Sequence, residues 1–244
     1  MADPLHQFQI TPILPISVAG TDLSFTNSSL WMAIAVGCAY LLIMAGTRQH
    51  AMVPGRLQAA VEMIYEFVAG ILRDATGKEG MRFFPIVFTI FMFILMGNTL
   101  GMIPGAFTFT SHIIVTFAMA IAVWVGVTII GFWYHGAHFL HFFVPTGAPK
   151  LMLPLLVPIE ILSYCVRPIS LSVRLFCNMM AGHTMLKVFG GFIISLATYF
   201  VIPGVAPMAI TVVLFGFEFV VAFLQAYIFT VLTCLYLNDA IHMH

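Results

Sequence analysis

Apolar residues fall along this chain in runs long enough to cross a bilayer, interrupted by a few clusters of proline, glycine and charge. Leu30 to Thr47 is the first such run, and about 20 apolar residues wound as a helix cross the roughly 30 Å of hydrocarbon. Thr26-Asn27-Ser28-Ser29 stands before it and offers side-chain oxygens for a helix N-cap. From Arg48 to Arg82 the pattern changes: five basic and four acidic residues alternate with Leu57, Val61, Ile64, Tyr65, Val68, Ile71 and Leu72. That spacing makes one apolar stripe, so residues 54–73 are expected to lie along the membrane surface with Glu62 and Glu66 on the solvated face. Phe83 to Ile103 and His112 to Tyr134 supply two further spans, joined by a short uncharged connection at Pro104-Gly105. Leu151 to Ile241 is apolar almost throughout, and Pro203-Gly204 with Pro207 divides it into arms at 151–202 and 207–241. About 35 helical residues span roughly 50 Å, so each arm must tilt or break, with Pro154, Pro158 and Pro168 as the candidate breaks. The expected fold is an all-α polytopic membrane protein. It has five crossings and one surface amphipathic helix, in a single membrane domain over 1–244 whose residues 1–27 form an outer-side tail.

Composition excludes the alternatives to a membrane fold. Of 244 residues 61% are hydrophobic and 7% charged, against roughly a quarter charged in soluble domains. Nine basic residues balance nine acidic ones, so nothing points to nucleic acid. Cys38, Cys165, Cys177 and Cys234 sit inside apolar runs without metal-ligand spacing and read as small buried hydrophobes. His135, His138 and His141 would spread around a helix without a carboxylate, so they read as interfacial, and no metal or other cofactor is expected. Residues 1–27 lack the basic flank of a cleavable signal peptide. The basic residues cluster in 48–82 and the 135–150 connection, whereas the tail, the 104–111 connection and the 203–207 turn have none. Five crossings then put the N-terminus outside and the C-terminus in the cytoplasm.

Glu160, Arg167, Arg174, Lys187 and Glu218 are left at membrane depth, with the polar Asn178, His183 and Gln225. A charge at the bilayer centre costs about 2.5–3.5 kcal/mol even on the lenient insertion scale. Glu160, Arg167 and Arg174 recur every seven residues and share a helix face, and Glu218 and Gln225 do the same on the second arm. In an antiparallel hairpin, residues at equal depth have numbers of constant sum. His183 with Glu218, Arg174 with Gln225, and Glu160 with Asp239 fall on nearly one sum, which predicts a polar track along both arms. Arg174 keeps its proton in any protein environment, so it acts as a fixed cation between two regions whose other groups exchange protons.

Ser170-Leu171-Ser172-Val173-Arg174-Leu175-Phe176-Cys177-Asn178-Met179-Met180-Ala181-Gly182-His183, followed by Leu224-Gln225-Ala226-Tyr227-Ile228-Phe229-Thr230-Val231-Leu232, resembles subunit a of the F-type ATP synthase. Pro158-Ile159-Glu160 and Gly97-Asn98-Thr99-Leu100-Gly101-Met102-Ile103-Pro104 fit the same pattern, and the likeness runs over essentially the whole chain. The resemblance implies a non-catalytic stator subunit with two offset proton half-channels, working against a rotating c-ring of hairpin subunits that each carry one carboxylate. Arg174 would be the essential ring-facing charge, flanked by Asn178 and Gln225. Asn98, His183 and Glu218 would line the outer half-channel, and Glu160 with Asp239 the inner one. Some members carry an aspartate where Gly101 stands, so that acid is missing from this outer path. The implied partners are the c-ring, b-type subunits of the peripheral stalk and the rest of the synthase. The implied location is the bacterial inner membrane or, alternatively, the mitochondrial one. A secondary transporter is disfavoured by the absence of an inverted repeat, and a haem-bearing anchor by His112 and His183 each standing alone in its span. For an intramembrane protease, Ser163, Ser172 and Ser195 have no positioned histidine.

Overall fold

The computed structural model describes residues 9–15, 17–18, 21–22, 24–48, 54–103, 105–136, 138–139, 144, 152–199 and 201–242. The N-terminal tail forms short antiparallel strand pairs, β1 (Pro12–Leu14) with β4 (Phe25–Thr26) and β2 (Ser17–Val18) with β3 (Thr21–Asp22). Six helices follow: α1 (Asn27–Thr47), α2 (Arg56–Gly80), α3 (Phe84–Gly101), α4 (Ile113–His135), α5 (Leu153–Tyr199) and α6 (Val201–Ile241). Among the described residues five stretches are long and apolar enough to cross a membrane, one of them running through α2 and α3 together. The fold is all-helical and multi-pass.

Local sequence explains where these helices start and stop. Thr26 caps α1, its hydroxyl accepting the Ser29 amide at 3.4 Å. The Asn27 side chain ties that cap to the tail by accepting the Ser28 amide and donating to the Gln9 carbonyl. Helix α2 buries Val61, Val68 and Leu72 and exposes Glu62 and Glu66, as one apolar stripe requires. It runs beyond residue 73 because the stripe continues to Thr76, and it is broken at Gly77, whose φ of 67° suits glycine. Helix α6 begins at Val201, ahead of the expected 203–207 turn. Pro203 therefore stands in its first turn, where a missing N–H leaves no helical bond unmade.

The core lies where α3, α5 and α6 meet, around Phe91, Ile94, Leu171, Leu175, Met179, Ala226 and Phe229. Helix α5 buries residues 164, 168, 171, 175, 179 and 183, and α6 buries 218, 222, 225, 226, 229 and 233, each a single helical stripe. The two helices pack antiparallel along most of their lengths. Pro168 lies inside α5 and leaves the Tyr164 carbonyl without its i+4 donor; the Trp124 indole N–H of α4 bonds that carbonyl at 3.1 Å. At the far end of α4, His135 Nε2 meets the Ile241 carbonyl at 3.1 Å and closes the last turn of α6.

Gly97 and Gly101, four residues apart on α3, receive the side chains of Phe109 and Thr108 from the connection that follows it. Gly105, the third of that set, has φ 90° and makes the turn. Of the cysteines, Cys234 is buried, but Cys165 and Cys177 are exposed on the hairpin surface, because that face of α5 has no neighbour within the chain. His141 lies outside the described residues.

Candidate functional site

Helices α5 and α6 carry polar residues at three levels, of which His183, Glu218 and Gln225 lie on the buried stripes. At the first, His183 Nδ1 lies 3.6 Å from Glu218 Oε1, both side chains buried. Gly182 makes this approach possible: a Cβ there would stand 2.6 Å from Glu218 Oε1 and 2.9 Å from its Cδ. Neither Glu218 oxygen has a hydrogen-bond partner among the described residues, and a bare carboxylate in such a place is costly. His183 is the titratable group nearest to that carboxyl, close enough for a small shift of either side chain to bring the two into hydrogen-bond contact.

At the second level the Gln225 amide donates to the Arg174 carbonyl at 3.4 Å. Gln225 is buried, whereas the Arg174 and Asn178 side chains are exposed one turn apart on the outer face of α5. The Arg174 guanidinium makes no hydrogen bond or ion pair with a described residue. Asn98 of α3 is fully buried between these two levels, its amide donating to the Ala222 carbonyl at 3.2 Å and its own oxygen left without a partner among the described residues. Ala222 is one turn past Glu218 on the way to Gln225, so Asn98 lies deeper than the His183–Glu218 pair.

At the third level the expected pairing shifts. Asp239 meets Arg167, Oδ2 to Nη1 at 2.8 Å, and Glu160 stands two turns further along α5, partly buried and without an ion pair to a described residue. Constant-sum register assumes straight helices, and α5 contains Pro158 and Pro168. The Arg167 guanidinium also lies over the Tyr164 and Tyr236 rings, 5.4 and 5.0 Å from their centroids. Asp239→Ala should lower stability by about 1 kcal/mol, because the pair is part-exposed. Thermal unfolding of the single and double Arg167 and Asp239 variants in detergent will show a coupling of that size, and strict additivity would contradict it.

Sequence reading missed the connection 105–112. It does not lie on the surface: Thr108, Phe109, Thr110 and Ser111 are all buried, and Thr108 bonds the Gly101 carbonyl at 3.1 Å and His183 Nε2 at 3.0 Å. Thr108, Thr110, Ser111 and His112 put four polar residues in five positions between two apolar spans, a pattern that a solvated connection shares.

Residues 28–238 match the model of a family described as ATP synthase A chain. Proteins named ATP synthase subunit a resemble the chain over its whole length: 55% identity in Rhodospirillum rubrum and 52% in Paramagnetospirillum magneticum, each covering all of both chains. A third, from Rhizobium leguminosarum bv. trifolii, is 56% identical over 98% of this chain and 97% of its own.

Proposed function

Because the chain belongs to the ATP synthase A chain family, we propose that it is the proton-translocating stator subunit of a bacterial F-type ATP synthase. In this reading the exposed face of α5 and α6 docks on a c-ring of hairpin subunits. Arg174 carries the argument: an exposed guanidinium near the middle of a 47-residue apolar helix, with no hydrogen bond or ion pair to a described residue. Lipid is a poor neighbour for it, and an anion on a second protein is a good one.

The outer half-channel runs from the His183–Glu218 pair past Asn98 toward Gln225 and the ring, with the N-terminus outside and the C-terminus cytoplasmic. A proton arriving there neutralises a ring carboxylate, which can then turn into lipid without the cost of a bare charge. After most of a revolution the carboxyl loses its proton toward Glu160 and Asp239, and the anion is drawn to Arg174. A membrane potential contributes about 2.3 kcal/mol per charge per 100 mV and biases the direction. The b-type subunits of the peripheral stalk hold the chain against the torque.

The test uses Cys177, exposed beside Asn178, with Cys165 replaced by serine. A thiol-directed photo-crosslinker on Cys177 in the native membrane is expected to capture a small two-helix subunit. Capture of lipid alone would overturn the docking.

A further inference from the structure

We infer that Thr108 is a positioning residue that fixes the tautomer of His183, so that Nε2 carries the ring proton and Nδ1 presents a lone pair to Glu218. A threonine hydroxyl has one proton to give and two lone pairs with which to accept. The Gly101 carbonyl, 3.1 Å away, can only accept, and it lies in the last turn of α3, where carbonyls lose their backbone donors. The hydroxyl proton goes there. His183 Nε2, 3.0 Å from the same oxygen, must then donate to it. Which nitrogen of a histidine is protonated follows from the hydrogen bond the other makes, so Nδ1 is left bare toward Glu218 Oε1.

Gly101 completes the device. A Cβ on it would stand 2.7 and 2.8 Å from Thr108 Cγ2 and Oγ1, so only a residue without a side chain lets the hydroxyl reach both partners. Thr108 itself is buried, which keeps bulk solvent from competing for its lone pairs. The Nε2 proton is thereby locked against the Thr108 oxygen, and the mobile proton is the one between Oε1 and Nδ1. When it moves from the Glu218 carboxyl to Nδ1, the O–H bond breaks as the N–H bond forms, giving a carboxylate beside an imidazolium with no other reactant. Without the hydroxyl, neutral His183 can place its proton on Nδ1 instead. It then turns an N–H toward Glu218, and its remaining lone pair, on Nε2, faces away from the carboxyl and cannot take the proton from it.

The tautomer assignment rests on geometry alone; its consequence for transport rests on the proposed entry route. The assembled complex, labelled with nitrogen-15 histidine in lipid vesicles, separates the two by solid-state NMR, with His183→Gln identifying the signal. The intact protein is expected to show neutral His183 protonated at Nε2. Thr108→Val is expected to shift population to the Nδ1–H form and to slow synthesis driven by a proton gradient about tenfold, less than outright loss of an acid–base group. Thr108→Ser is expected to restore both, and Thr108→Ala, which adds no volume, replaces the valine variant if that fails to assemble. An Nδ1–H signal in the intact protein, or an unchanged signal in Thr108→Val, would overturn the inference. A changed tautomer with undiminished synthesis would leave it standing and overturn the entry route through His183 and Glu218.

Discussion

Replacing Arg174 with alanine is expected to reduce coupled ATP synthesis by about 10²–10³-fold, the scale on which preorganised charges act, and to open a passive proton leak. The side chain is exposed on α5 and its backbone carbonyl holds Gln225; alanine removes the cation and leaves that hydrogen bond in place. The guanidinium keeps its proton, so it cannot pass one on. In the proposed mechanism its work is to bar a protonated ring carboxyl from slipping directly between the two half-channels and to draw each newly formed anion past. Without it, a ring carboxyl can exchange protons with both sides in one place, and flux no longer requires rotation. Synthesis and passive proton flux measured in the same vesicles will move in opposite directions. Full coupled activity in Arg174→Ala would contradict the role.

His183→Ala and Glu218→Ala should each slow proton-driven synthesis by about 10²-fold, the lower end of what a positioned acid–base group contributes. They should be far from additive, because the two buried groups lie 3.6 Å apart. Exchanging them, His183→Glu with Glu218→His, should recover part of the loss. Recovery stays partial because the 218 side chain sits against Gly182, with room fitted to a carboxyl, and because the exchanged carboxyl would face Thr108. Initial rates of synthesis in vesicles at fixed gradient check this. No recovery over the single variants would contradict the pairing.

Periodicity made the helices legible, and it also located the hairpin polar residues. Seven-residue spacing put Glu218 and Gln225 on one face, and the structure seats both on the buried stripe of α6. The hairpin register brings His183 to Glu218 and Arg174 to Gln225. It fails at Asp239 because prolines inside α5 alter a count that assumes straight helices, and Arg167 takes the place expected for Glu160. Thr108 was illegible for a different reason. A short uncharged connection reads the same whether it lies in water or folds inward, and only the glycines at 97 and 101 make room for it inside. The depth of Asn98 likewise depended on which carbonyl its amide would find, here Ala222, which spacing within one helix does not encode.

The central claim is that a fixed cation separates two water-accessible regions, so that protons cross only on a neighbouring ring. A density map of the assembled complex in lipid tests it directly. The predicted result is the Arg174 guanidinium facing a ring carboxylate, with the region around His183 and Glu218 hydrated from one side and that around Glu160 from the other. A guanidinium turned into lipid headgroups, or one continuous file of water running past it, would contradict the account.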